Sequence, residues 1–253
     1  LSVARGYARG VASQTRGVSI GGYAPGSSEV IDFITISSQG NASDFGDIPT
    51  ARGSVAAASN AIRGVFGGGD SSPTKIGFIT IATQSNSSEF GDLNRVVSDM
   101  AGSFASRTRG FFGGGKGPET NIIDFITIQS KGNAIDFGDL IDGTRAEGSG
   151  SANSTRGLFF GGSGPGSADT IQFITMATLG NATDFGNLSN GAEAGGACAS
   201  STRGLYGGGS TPTKINNIDF VTIASAGNAT DFGDRLVKKI TDGINPFCNA
   251  KFK

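Results

Sequence analysis

One phrase of about 47 residues is written five times along this chain, and it limits the possible folds more than any single residue does. Its marker runs Thr15-Arg16-Gly17, Ile62-Arg63-Gly64, Thr108-Arg109-Gly110, Thr155-Arg156-Gly157 and Thr202-Arg203-Gly204, at spacings of 47, 46, 47 and 47 residues. Each copy continues into a glycine cluster, a segment close to Ile-x-Phe-Ile-Thr-Ile, and an ending close to Gly-Asn-Ala-Thr-Asp-Phe-Gly-Asp. A fixed period of roughly 40 to 50 residues with several strands per period marks a propeller. A single period cannot bury its own faces, but stacked neighbours can, so the chain reads as one closed array.

The fifth copy divides into four predicted strands. Gly195 to Ser200 is small and extended, which suits a crowded inner strand. Arg203 to Gly209 is the second strand, ending in glycines, and Ile218 to Ile223 is the third. Ala226-Gly227-Asn228 supplies a hairpin turn from residues that tolerate positive φ. Thr230 to Asp234 is the outer strand. The third strand carries most weight. In copy one, Ile31, Phe33 and Thr35 face one way and Asp32, Ile34 and Ile36 the other, so both faces are apolar. A sheet with one wet face would alternate cleanly, whereas stacked blades bury both faces. The expectation is an all-β, five-bladed β-propeller of four-stranded antiparallel blades over residues 1–234. The blades fall at about 1–47, 48–93, 94–140, 141–188 and 189–234, with a tail over 235–253 that seals or anchors the propeller. Closure is expected from blade one packing on blade five, aided by tail residues such as Leu236, Val237, Ile240 and Phe247.

Composition excludes several functions. With 20 basic and 21 acidic residues there is no positive surplus for a phosphate backbone, which argues against nucleic acid. The chain has no histidine, so the commonest general base and metal ligand is missing. The glycine clusters lead into strands and so lack the helix N-terminus of a phosphate site. The expectation is a non-enzymatic protein with no cofactor or metal. No apolar run approaches about 18 residues, so no membrane span is expected. The two cysteines, Cys198 and Cys248, could form a disulfide pinning the tail to the last blade, or could be two inert thiols.

Two sets of residues recur at one blade end. The arginines Arg16, Arg63, Arg109, Arg156 and Arg203 lie near the first hairpin, and the acids Asp44, Glu89, Asp136, Asp184 and Asp231 near the last. Structural Arg–carboxylate pairs are expected, since guanidinium suits bidentate pairing. Acids three apart, such as Asp44 and Asp47, fit turn chemistry better than calcium, which needs six to eight oxygens. Asn-x-Ser/Thr at Asn41, Asn86, Asn153, Asn181, Asn187 and Asn228 lies mostly at one tight turn, which turn-making explains. The copies diverge in the loop after the glycine cluster and in the links between blades, two sets that share one face of a propeller. Candidate ligand residues there are Tyr23, Ser27, Asp70, Lys75, Lys116, Glu119, Asn121, Ser163, Thr211 and Lys214. These loops are polar and hydroxyl-rich, which suits a glycan or a wet protein contact.

Phe111-Phe112-Gly113-Gly114-Gly115 and Leu205-Tyr206-Gly207-Gly208 resemble the di-glycine element of kelch repeats. Phe45, Phe90, Phe137, Phe185 and Phe232 stand where kelch usually has Trp, so the repeat is kelch-like. Its wording over about residues 3 to 234 also resembles repeats in tail-fibre-like and other structural proteins of tailed, especially marine, phages. Repeat number and length match tachylectin-type lectins as well. The resemblance implies a virion surface or tail-associated structural protein, on the virion surface or extracellular, that binds a host-surface receptor or partner, with a glycan favoured. Other virion proteins would be partners through the tail. The alternatives are a secreted multivalent lectin and a purely architectural assembly protein.

Overall fold

The structure, a computed structural model, describes residues 1–99, 102–116, 121–141, 147–164, 168–210 and 212–236. Among these residues twenty strands form five separate four-stranded sheets, each antiparallel and in simple sequence order. Blade 1 holds β1 (Arg9–Ala12), β2 (Arg16–Ile20), β3 (Val30–Thr35) and β4 (Ser43–Asp47). Blade 2 holds β5 (Ala56–Ser59), β6 (Arg63–Gly67), β7 (Lys75–Thr80) and β8 (Ser88–Asp92). Blade 3 holds β9 (Gly102–Ala105), β10 (Arg109–Gly113), β11 (Ile122–Thr127) and β12 (Ile135–Asp139). Blade 4 holds β13 (Ser149–Ala152), β14 (Arg156–Phe160), β15 (Thr170–Thr175) and β16 (Thr183–Asn187). Blade 5 holds β17 (Gly196–Ala199), β18 (Arg203–Gly207), β19 (Asn217–Thr222) and β20 (Thr230–Asp234). The protein is a five-bladed β-propeller.

The repeat wording follows from how one blade meets the next. The register between the third and fourth strands slips once in every blade, between Ile31 and Asp32 in blade 1 and between Ile218 and Asp219 in blade 5. This bulge places a glycine after the outer phenylalanine, and Gly46 takes φ +141°. A Cβ on Gly46 would also come within 2.6 Å of the Ser85 backbone, where the next blade's hairpin turn presses in. That turn is hydrogen-bonded to the outer strand it touches. Ser87 N–H donates to Asp47 O, Gly132 to Phe90 O, Ala182 to Asp139 O and Ala229 to Asn187 O. The turn asparagines complete the contact, because Asn86, Asn133, Asn181 and Asn228 each accept an N–H from the preceding blade. Turn-making is therefore only part of what these asparagines do: their side chains also join blades.

The core is four blade–blade junctions rather than one central cluster. Val11, Val18, Ile31 and Phe45 of blade 1 pack against Ala57, Phe66, Ile79 and Ile81 of blade 2. Equivalent clusters join blades 2 and 3 through Val65, Phe90, Ile126 and Ile128, and blades 3 and 4 through Phe111, Phe137, Ile174 and Met176. Leu158, Phe185, Val221 and Ile223 join blades 4 and 5. The third strand therefore serves two junctions, Phe forward and Ile backward, which is why both of its faces are apolar. Nearer the axis, Ser59 Oγ donates to Ala12 O and Ser103 Oγ donates to Ala57 O, each at about 3 Å.

Closure differs from the expectation. The inner strands β1 and β5, β5 and β9, β9 and β13, and β13 and β17 pack side by side, and among the described residues β17 and β1 show no comparable packing. Blade 1 carries Ser19 at the position of Phe66, Phe112, Phe159 and Tyr206, so its rear face lacks the aromatic that anchors the other junctions. The tail beyond Leu236, with Val237, Ile240 and Phe247, lies outside the described residues. Cys248 lies there as well, so its pairing with the half-buried Cys198 does too.

Candidate binding face

Both ends of the propeller carry repeated polar groups, and they do different things. At the hairpin end, each of the first four arginines reaches into the following blade. Arg16 donates to Ile81 O and Ala82 O at 3.0 and 2.9 Å, and Arg109 donates to Met176 O and Ala177 O at 2.9 and 3.2 Å. Arg63 and Arg156 repeat the arrangement on Ile128/Gln129 and Ile223/Ala224. All five guanidiniums, including that of Arg203, lie 4.7–4.9 Å above the third-strand phenylalanine of their own blade.

The expected Arg–carboxylate pairs are therefore replaced. The acids turn back on their own bulge: Asp44, Asp136, Asp184 and Asp231 each accept the N–H of the glycine two residues on. The longer Glu89 reaches Lys75 instead, at 3.0 Å. The geometric reason is that the arginine crosses forward to the next blade's turn while the acid faces its own strand. These two sets are structural joints. Arg109→Ala should cost about 2 kcal/mol, from charged hydrogen bonds and a cation–π contact at a partly exposed site. Chemical denaturation checks it, and a loss below about 0.5 kcal/mol would remove the arginine from the joint.

At the opposite end the divergent loops meet the inter-blade links. Backbone bridges join Gly6 to Tyr23, Asp99 to Lys116 and Glu193 to Ser210, so both loop sets build one face. Of the candidate ligand residues, three converge across the boundary of blades 1 and 2. Tyr23 Oη donates to Asp70 at 2.6 Å and Ser27 Oγ donates to the same carboxylate oxygen at 2.5 Å. The other Asp70 oxygen accepts the Gly53 and Ser71 N–H groups. Desolvation pushes the Asp70 carboxyl up, but the Ser27, Tyr23, Gly53 and Ser71 hydrogen bonds outweigh it and hold the pKa below the ordinary value. Tyr7 stands edge-on to Tyr23, with centroids 5.7 Å apart, is 39% exposed, and has φ +52°.

The remaining candidates separate. Lys116 lies by Glu147 at 3.4 Å and Asp99 at 4.0 Å, near the axis. Lys75 points to the outer rim, to Glu89 and Asp92. Asn121 and Ser163 are partly buried and Lys214 is exposed, each in its own blade's loop; Glu119 and Thr211 lie outside the described residues.

Two arginines were missed as site residues. Arg9 lies on β1, where the matching residues are Ala56, Gly102, Ser149 and Gly196. Its Nε donates to Val55 O, burial lowers its pKa, and Asp99 and Glu147 pull the other way. Asp99 in turn is raised by burial and by Glu147, against Lys116 and Arg9. One large cation in an inner-strand position held otherwise by small residues was the available signal. Arg52 donates to Gly68 O, Ser72 O and Lys75 O and lies over Phe66. It pins a link to a loop, and no repeat pattern announced it.

No protein-family model matches this chain, and no curated protein matches it. Among the described residues no group of three or more metal-ligating side chains gathers, and no helix is long and apolar enough to cross a membrane. What the loop face offers is one aromatic edge, one ionised carboxylate with two hydroxyls, and a separate charged axial cluster.

The Tyr23 hydroxyl gives a direct probe of this face. Burial and the bond to Asp70 push its pKa up to about 12. Folding therefore gains from this group below the ordinary tyrosine value near 10, and that gain is lost as pH rises through about 12. Ultraviolet titration, taken as the difference between the native chain and Tyr23→Phe, should show a midpoint near 12. Asp70→Asn should move it toward 10; an unmoved midpoint would uncouple the two groups.

Proposed function

We propose that the propeller is a non-enzymatic binding protein whose loop face takes a glycan. The observation that supports this is the group Tyr7, Tyr23, Ser27 and Asp70. A pyranose ring has an apolar face of C–H groups and a rim of hydroxyls, which an exposed aromatic and an adjacent carboxylate can meet together. Tyr7 is a partly exposed aromatic on a link whose positive φ is shared by Ser54, Glu147 and Ala194 at the matching positions, so the repeat's own backbone holds its ring beside Tyr23. Asp70 stays ionised with two hydroxyls already aimed at it, so the hydrogen-bonding rim is preorganised. Among the described residues the other blades show no equivalent cluster, which favours one selective site over five equal weak ones.

The kelch-like wording and its resemblance to structural proteins of tailed phages support a placement on a virion surface, where the glycan would belong to a host. A secreted lectin uses the same chemistry. The test is a broad glycan array with the native chain, Tyr7→Ala and Asp70→Asn. Saturable binding by the native chain, lost in both variants while each remains folded at the assay temperature, is expected. Absence of binding by the folded native chain would move the function to virion architecture.

A further inference from the structure

The two terminal blade faces carry the unmatched halves of a junction that the protein makes four times elsewhere. On blade 5, Phe232 is 56% exposed, while its equivalents Phe45, Phe90, Phe137 and Phe185 are all buried. Leu205 and Cys198 on the same blade are half-buried, whereas Val18 and Val11 at these positions in blade 1 are buried. A Cβ on Gly233 would meet nothing within 4 Å, where one on Gly46, Gly138 or Gly186 would strike the next blade's turn. Arg203 sits over Phe220 as its equivalents do, but among the described residues no carbonyl of a following blade receives it.

Blade 1 shows the complementary absence. Ile36 is 46% exposed while Ile81, Ile128 and Ile223 are buried, and Ile34 and Ala42 are half-buried. Beside them runs a groove of about 180 Å³ lined only by residues 1–42, among them Gly10, Gly17, Val18 and Phe33. In the formed junctions the glycine equivalent to Gly17 is covered by a side chain from the preceding blade: Gly64 by Val11, Gly157 by Phe104, Gly204 by Leu158. Cys198 is the blade 5 residue equivalent to Val11 and Phe104, and both it and Leu205, the equivalent of Leu158, are left half-buried.

We propose that the opening between blades 5 and 1 is a docking site for a further four-stranded blade of this same repeat. Its front face would cover the blade 1 groove with a knob of the Phe104 kind, and its hairpin turn would bond to β20. The four formed junctions show which chemistry each open face accepts: a carbonyl pair for Arg203, turn N–H groups for the Phe232 and Asp234 carbonyls, and an outer strand for the Gly40-Asn41-Ala42 turn. Terminal repeats of stacked arrays need polar outer faces, and these two are apolar.

Cys198 reports on the site once Cys248→Ser leaves it as the chain's only cysteine. In this background a copy of residues 93–139, the blade that carries Phe104, placed after Asp234 in place of 235–253, should slow thiol modification of Cys198 at least tenfold and raise the melting temperature. The same copy placed ahead of Leu1, with 235–253 again removed, should do the same, and it decides the matter if the first chain fails to fold. Fast modification in a folded six-blade chain would overturn the proposal. So would slow modification in the five-blade monomer, which would mean that blades 5 and 1 close on each other. Protection that grows with concentration and a doubled mass would assign the face to a second copy. Protection lost on deleting 237–253 would assign it to the tail.

Discussion

Phe104→Ala should lower the stability of the propeller by about 3–5 kcal/mol, the range for emptying a buried phenylalanine site. Phe104 is 2% exposed on β9 and forms the knob of the junction between blades 3 and 4. Its ring lies 5.4 Å from that of Phe111 and 4.8 Å from that of Phe159. Below it is Gly157, where a Cβ would come within 1.9 Å of the ring. The glycine has made room for the aromatic, so the site cannot collapse easily when the ring is removed. Gly157→Ala should damage the junction from the other side, because a backbone and a packed ring must shift. The double variant should recover part of the loss, since the new methyl enters the new cavity, and a double-mutant cycle from denaturation midpoints measures that coupling. A Phe104→Ala cost below about 1 kcal/mol would mean that the blades are not joined by this packing.

Asp124→Ala is the second large effect, at about 3–5 kcal/mol, because it strands a buried cation. Arg95, in the link between blades 2 and 3, is 8% exposed at its side chain and pairs with the fully buried Asp124 of β11. Asn94 donates to the other carboxylate oxygen at 2.9 Å, and Arg95 also donates to Gly114 O at 2.9 Å. Removing the carboxylate leaves the guanidinium with the Gly114 and Phe112 carbonyls, at 2.9 and 3.5 Å, in a dry site. The fold does not demand this ion pair, since blade 2 has Gly77 and blade 4 has Gln172 at the matching position. Arg95→Leu combined with Asp124→Ala should therefore restore most of the stability. If the double variant is as unstable as Asp124→Ala, the uncompensated charge is not the cause, and the packing of the link is.

Repetition is why so much of the fold was legible. Ile31, Phe33, Ile34 and Ile36 recur every 45 to 48 residues, with only Val221 and Met176 departing from the type, so the two-faced burial of β3 could be read five times over, and chance patterning averages out. Partner choice was less legible. The arginine and the acid were read as partners because they recur together near one blade end. Sequence spacing records that they share an end, but it does not say which way a side chain leans across a blade boundary. Arg16 leans forward to Ile81 and Ala82, while Asp44 turns back to Gly46. The candidate ligand residues were chosen for divergence, a property that selects loops without ordering them in space. Tyr23, Ser27 and Asp70 converge, and Lys75 faces the outer rim. Tyr7 went unnoticed because its place beside Tyr23 depends on a link folding back onto a loop.

The sequence by itself determined the repeat, the strand count, the alternation that buries both faces and the all-β class, because these are periodic properties of a chain in which each residue sees the same local geometry. Only the tertiary structure decided which carbonyls the arginines bind, how the loop face assembles, and that among the described residues blades 5 and 1 lack the junction the other blades make. Those outcomes depend on the rotation between rigid blades, set by side chains that lie tens of residues apart and meet only once the blades have stacked.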